Sequence, residues 1–169
     1  MDVYHIDSPL GKLTLESRDG RLAAIRYPGG EADNVRDVRG AGVEQSREDR
    51  AGDPAPVLRR AAGQLEEYFE GRRTAFNLPL HLAGTDFQRQ VWQLLLDIPF
   101  GWTVSYGELA SRMGDLAKVR AVGAANGSNS LPIVVPCHRV IGTGNRLTGY
   151  VGGVERKRWL LQHEGVLLL

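Results

Sequence analysis

From residue 29 to residue 56 the chain is built of Gly, Glu, Asp, Arg and Pro with scarcely an aliphatic side chain. Such a stretch cannot bury enough apolar surface to offset the entropy lost on ordering it. It is expected to be a mobile surface loop over 29–56, and it confines the folding core to the blocks on either side of it.

The block before it reads as two or three short antiparallel strands. Leu10, Leu13 and Leu15 surround a Gly11-Lys12 turn, and Asp19-Gly20 is a hairpin signal leading into the run 22–27. After the loop, apolar residues at 58, 61, 62, 65, 68 and 69 trace one helical face over 57–69, with Gly71 as its stop. Residues 74–82 then alternate, with Phe76, Leu78, Leu80 and Leu82 on one side, which predicts a further strand despite Pro79. A small N-terminal antiparallel sheet with a packed helix follows, an α+β unit. Its histidines, His5 and His81, have no second ligand nearby in sequence and are expected to be exposed or structurally bonded.

Ala83-Gly84 is the best boundary, giving units 1–84 and 85–169. Thr85-Asp86-Phe87-Gln88 is a capping box, and Phe87, Val91, Leu94, Leu95 and Ile98 mark a helical face that Pro99 and Gly101 end. Ser105-Tyr106-Gly107-Glu108 is a second box, opening a short helix with Leu109, Ala110 and Met113 inward and a break at Gly114. A third helix is expected over 116–126 with Val119, Val122 and Ala125 on its core face. Two short helices about a tight turn, followed by strand-like residues 131–135, read as a C-terminal winged helix-turn-helix, although the pattern alone equally fits a plain helical hairpin. Residues 153–163 predict a closing helix, whose Arg156-Lys157-Arg158 run reads as a solvated face.

The net charge is +1, but 1–84 carries 12 Lys+Arg against 14 Asp+Glu and 85–169 carries 9 against 6. Any phosphate backbone is therefore expected to meet the second half. No apolar run reaches the ~20 residues of a membrane span. The first residues lack the basic start and apolar core of a secretory signal, which makes a cytoplasmic location the expectation. A single cysteine, Cys137, excludes an internal disulfide and a multi-cysteine zinc site and suits a reducing compartment. No metal and no cofactor are expected.

Cys137 lies in Ile-Val-Val-Pro-Cys-His-Arg-Val-Ile-Gly, residues 133–142. Pro136 fixes φ on one side and drives Val135 toward an extended conformation, and His138 places a titratable base next to the thiol. A lone cysteine can equally be a small buried hydrophobe. Pro-Cys-His-Arg-Val, with Val-Ser-Tyr-Gly-Glu-Leu-Ala at 104–110, Arg-Ala-Val-Gly at 120–123, Asn129, Tyr150 with Gly152-Gly153, and His163-Glu164-Gly165, resembles the O6-alkylguanine-DNA alkyltransferases, also called methylated-DNA-protein-cysteine methyltransferases. The resemblance covers residues 85–165.

That resemblance implies DNA repair by irreversible transfer of an alkyl group from O6-alkylguanine, with O4-alkylthymine left open, to Cys137, one turnover per molecule. It implies that His138, oriented by Glu164, raises the thiolate fraction, and that Tyr106 donates a proton to the guanine; on sequence alone Tyr106 could equally close a helix cap. Asn129 would brace the turn joining the recognition helix to the active-site strand; on sequence alone an Asn in Gly-Ser-Asn-Ser could equally be ordinary turn chemistry. The family's second helix enters the minor groove of double-stranded DNA, so Ala121, Gly123, Ala124 and Gly127 would allow close approach and Arg120 would fill the gap left by a flipped base. Pro136, Tyr150, Val151 and Gly152 would line the lesion pocket, where Val151 departs from the small residue usual in the family. No membrane partner is implied. The protein is expected to be monomeric in solution, with clustering on DNA left open. A non-reacting DNA binder and a Cys-His hydrolase are the competing readings.

Overall fold

The computed structural model describes residues 1–29 and 55–166, in two compact units, 1–82 and 83–169. The expected loop over 29–56 falls almost wholly outside the described residues.

The first unit is a three-stranded antiparallel meander, β1 (Asp2–Ile6), β2 (Leu13–Arg18) and β3 (Arg21–Arg26), ordered β1-β2-β3. Its tight turn is the one Asp19-Gly20 announced. Both residues have positive φ, 50° and 72°, the conformation a two-residue hairpin needs and one that Asp and Gly accept most readily. Alternation along β2 buries Leu13, Leu15 and Ser17, and helix α1 (Pro56–Phe69) lies on that face with Leu58, Ala61, Leu65 and Tyr68 buried. Pro56 opens α1 at a position where the missing N–H is no loss. His5 is structurally bonded, its Nδ1 3.0 Å from the Thr14 hydroxyl.

One expectation in this unit fails. Residues 74–82 form no strand; only Leu80 bridges Leu22, through Leu22 N–H to the Pro79 carbonyl at 2.9 Å and His81 N–H to the Leu22 carbonyl at 2.8 Å. Pro79 supplies an acceptor but no donor, so the ladder cannot continue.

In the second unit α2 (Asp86–Leu96) has the full Thr85/Gln88 capping box, and α3 (Tyr106–Arg112) is capped by Ser105 accepting from the Glu108 amide at 3.0 Å. Helix α4 (Val119–Gly127) is preceded by a 3-10 turn (Leu116–Lys118). The third helix therefore begins later than expected, and Val119, 38% exposed at its first turn, is not a core residue. Val122 and Ala125 are buried as expected, together with Asn126. Trp92 of α2 donates its indole N–H to the Ala125 carbonyl at 2.8 Å and so ties α2 to α4.

The strand expected over 131–135 is also absent. Asn129 accepts from the Leu131 amide at 2.9 Å and donates to the Val135 carbonyl at 2.8 Å, closing these residues into buried turns. Ile133 holds φ 75° there, a conformation that costs a β-branched residue about 1–3 kcal/mol and that the surrounding packing must enforce. The strand instead falls after the cysteine: β5 (Val140–Ile141) pairs in parallel with β4 (Val104–Ser105). Helix α5 (Val154–His163) closes the unit, with Gly153 as its N-cap at φ 87°.

Candidate active site

Pairing of Val104 with Val140 and of Ser105 with Ile141 sets the register of the site. It starts α3, and hence Tyr106, alongside the segment that carries Cys137. That segment is a short 3-10 turn (Cys137–Arg139) entered through Pro136 at φ −81°, ψ 63°, an inverse γ-turn in which the Cys137 amide donates to the Val135 carbonyl at 2.8 Å.

Cys137 is 2% exposed. Burial pushes its thiol up to about 11, against the opposing pull of Asn129 and of the Lys157 charge. The resting sulfur is therefore a thiol, and ionising it requires a base.

His138 is completely buried beside it. Its Nε2 lies 2.7 Å from Glu164 Oε2, while its Nδ1 has no partner among the described residues. A carboxylate accepts at Nε2, so the neutral ring carries its proton there and leaves Nδ1 as a bare acceptor. Burial lowers the histidine pKa and Glu164 only partly restores it, which keeps the ring neutral.

Glu164 is held from several sides. Besides His138 it accepts from Arg139 Nε at 2.8 Å, Arg139 Nη2 at 3.1 Å and the Gly101 amide at 3.2 Å. Burial raises its pKa, but His138 and Arg139 together bring it well below the usual carboxylate range. Arg139 Nη1 also donates to the Ile98 carbonyl at 2.6 Å, linking the site to the end of α2. Gly101 fits this corner through φ +80° and because a Cβ would meet the Glu164 carbonyl oxygen at 3.1 Å.

A second polar group faces Tyr106. Lys157 is 0% exposed, donates to the Thr148 carbonyl at 2.9 Å and stands 5.8 Å from the Tyr106 ring centre. The Tyr106 hydroxyl donates to the same carbonyl at 3.4 Å. Arg156 is 5% exposed and donates to the Gly152 carbonyl at 3.1 Å. The run 156–158 is thus not a solvated face, and Lys157 and Arg156 pin the loop 146–153 that carries Tyr150, Val151 and Gly152. Burial lowers Lys157 to about 8. Its helical phase with Leu160, Leu161 and Glu164 was the signal for burial, and the density of basic residues obscured it.

The structure brings Cys137, His138, Glu164, Asn129 and Pro136 together in the interior, and Tyr106 half-buried near them. Gly152 is buried and Tyr150 half-buried, whereas Val151 is 53% exposed and turned outward. On α4, Arg120, Ala121, Ala124 and Gly127 share the exposed side. Gly123 parts from them, since a Cβ on it would lie 3.9 Å from the Tyr106 ring. Sequence reasoning gave no role to Arg139, Lys157 or Asn126. Asn126 is buried on α4 and has no local signal that could have marked it.

Comparison with known proteins agrees with this architecture. Residues 3–82 match the family model described as 6-O-methylguanine DNA methyltransferase, ribonuclease-like domain, and residues 86–166 match that family's DNA binding domain. A methylated-DNA–protein-cysteine methyltransferase of Mycobacterium bovis is 46% identical over 159 residues, covering 94% of this chain and 89% of the relative. That of Mycobacterium leprae is 53% identical over 162 residues. The crystal structure of Mycobacterium tuberculosis OGT in complex with DNA superposes with a TM-score of 0.80 at 44% identity, over 97% of this chain and 92% of that one. Matched in both units and in order, the chain belongs to the methylated-DNA–protein-cysteine methyltransferase family.

Proposed function

We infer that this protein repairs DNA by direct reversal, moving the alkyl group of an O6-alkylguanine onto Cys137. The observation that carries this reading is the burial of Cys137, His138 and Glu164 together, with a His138 Nδ1 that has no partner among the described residues. His138 takes the thiol proton at Nδ1 while Glu164 steadies the positive ring, and the thiolate displaces carbon from O6. As the C–O bond breaks, charge develops on guanine, and the Tyr106 hydroxyl supplies a proton at N3. The product thioether is a poor leaving group, so each molecule acts once.

The 2% exposure of Cys137 bears on how the lesion arrives. A base stacked in a duplex cannot reach a buried sulfur, so the guanine is extruded into the protein at a cost of a few kcal/mol. The exposed side of α4 suits this step: small residues at 121, 124 and 127 let the helix enter the minor groove, and Arg120 occupies the vacated stack. Tyr150, Gly152 and Pro136 form the pocket that receives the base. Asn129, by closing the turns at 131–135, fixes where the sulfur stands. We place the protein in the cytoplasm as a monomer, where a reducing pool keeps its one cysteine free.

Intact-mass measurement after incubation with a duplex containing O6-methylguanine tests the reading. One methyl group gained, located on Cys137, is the expected result, with Cys137→Ser gaining none and still binding DNA. An unchanged mass, or a methyl on another residue, would overturn it.

A further inference from the structure

A cavity of about 510 Å³ lies between the loop that follows β5 and helix α5, and the mechanism makes no use of it. Asn145, Arg146, Thr148, Arg158 and Gln162 line it, so two guanidinium groups, two amides and a hydroxyl meet there with no carboxylate in the lining. Neither guanidinium has a hydrogen bond or an acidic partner among the described residues, and Arg158 Nε is shut off from solvent as well. The turn that presents Arg146 is fixed. The Gly142 amide donates to the Arg146 carbonyl at 2.7 Å, and Gly144 and Asn145 hold positive φ, 70° and 62°. Lys157 donates to the Thr148 carbonyl at 2.9 Å and brings a third positive charge close. Cations gathered without a counter-ion repel one another and keep unused donors, which suits an anion better than it suits folding. The planar fork of arginine matches an oxyanion two N–H groups at a time. The cavity is also larger than one inorganic ion needs and more polar than an ordinary small-molecule pocket, which favours a phosphate carried on a polar chain.

We propose that Arg146 and Arg158 bind a backbone phosphodiester of the DNA in this cavity, beyond the part of the duplex that α4 enters. This rests on the reading of the protein as one that receives a flipped guanine. Contacts lead from α4 to the cavity. A Cβ on Gly123 of α4 would lie 3.9 Å from the Tyr106 ring, the Tyr106 hydroxyl donates to the Thr148 carbonyl at 3.4 Å, and Thr148 lines the cavity. The strand whose guanine has turned in toward Cys137 passes beside it. A phosphate oxygen arrives on the outer guanidinium nitrogens, and the Arg158 fork turns to give its buried Nε–H the acceptor it lacks. Gripping the strand there holds it when the extruded base no longer stacks. A phosphate contact carries no sequence information, which suits a protein that meets its lesion in any sequence.

The test measures binding of the full chain, carrying Cys137→Ser so that the lesion is not consumed, to duplexes containing O6-methylguanine. Arg146→Gln together with Arg158→Gln should weaken binding about tenfold at fixed salt and lower the slope of log K against log salt by about one. A series of duplexes, each with one phosphate made neutral as a methylphosphonate, locates the contact. At one position the protein with both arginines should lose affinity and the double variant should lose none. Arg158→Lys, which keeps the charge without the fork, should retain the slope and lose part of the affinity. With Cys137 restored, the double variant should react with free O6-benzylguanine at the unaltered rate. Unchanged affinity and slope in the double variant overturn the proposal. Weakening that no single phosphate position accounts for also overturns it, since that is only the general field of two positive charges. Stabilisation against heat by inorganic phosphate that needs both arginines, with DNA binding unchanged, would assign the cavity to a free phosphate and overturn the DNA contact. One phosphate position coupled to the arginines, in a protein that takes no methyl onto Cys137, would sink the repair reading and leave this site standing.

Discussion

His138 Nε2 and Glu164 Oε2 stand 2.7 Å apart with both side chains shut off from solvent, and Arg139 grips the other side of the same carboxylate. One carboxylate thereby fixes the histidine that follows Cys137 and neutralises a buried arginine.

Glu164→Gln breaks both functions. Removing one partner leaves Arg139 buried without a counter-charge, a loss of about 3–5 kcal/mol, so the melting temperature at pH 7 should fall by many degrees. The carboxyl's folded pKa lies well below its ordinary value. Its stabilisation is therefore complete above the unfolded carboxyl pKa of about 4.3 and is lost progressively as pH falls below that. Melts between pH 3 and 7 should show an acid limb in the wild type that is weakened in the variant. Parallel curves would show that the ion pair adds nothing to folding.

Lys157 and Cys137 make opposite contributions on the alkaline side. Burial lowers Lys157 from 10.5 to about 8. Between those values the unfolded chain binds a proton that the folded one has shed, and stability rises with pH. Cys137, raised from 9.0 to about 11, has the reverse sign. Cys137→Ser removes the second effect, so its denaturant midpoint should rise from pH 8 to 10, and adding Lys157→Met should abolish the rise. A flat profile in Cys137→Ser would mean that Lys157 is solvated in solution.

What the sequence revealed and what it hid separate along physical lines. Helices α1 and α2, the Asp19-Gly20 turn and the Thr85 cap rest on neighbours within a few residues, so periodicity and local hydrogen bonding were enough to find them. The parallel pair Val104–Val140 spans only two residues per strand and joins distant segments, leaving no periodic trace. Residues 131–135 have strand composition, yet the Asn129 side chain takes their backbone groups first. The Pro-Cys-His-Arg-Val motif drew attention to Cys137 and His138, which the fold buries. Lys157 and Asn126 carried no such mark, because a buried lysine or asparagine is recognised by the carbonyl it meets, and Thr148 and Cys137 are brought to them only by the fold.

Gly84 reports on how α2 and α4 are joined. A Cβ there would come within 2.5 Å of Trp92 Cη2 and 2.7 Å of Gln88 Oε1. Neither can yield freely, since the indole donates to Ala125 and the Gln88 side chain bonds the Thr85 amide and the Ser128 hydroxyl. Overpacking of this kind costs about 1–3 kcal/mol. Gly84→Ala should therefore lower the melting temperature by several degrees while the methyl-accepting capacity per folded molecule holds. An unaltered melt would mean that the Trp92 ring shifts without penalty.

Arg120 separates base extrusion from chemistry. It is exposed on the second residue of α4, apart from the buried Cys137 and His138. A side chain that fills the space of a displaced guanine offsets part of the unstacking cost, and a free base such as O6-benzylguanine incurs none of that cost. Each 1.4 kcal/mol lost is about a tenfold change in rate. Arg120→Ala should slow transfer from a duplex roughly tenfold or more and affect the free base much less. Deleting an arginine that faces DNA also weakens phosphate attraction, so the salt concentration must be constant. Single-turnover rates at saturating protein, with Arg120→Lys preserving the charge, remove that confound. Equal slowing on duplex and free base would show that Arg120 supports the site's fold, and its role in holding the base out would have to be abandoned.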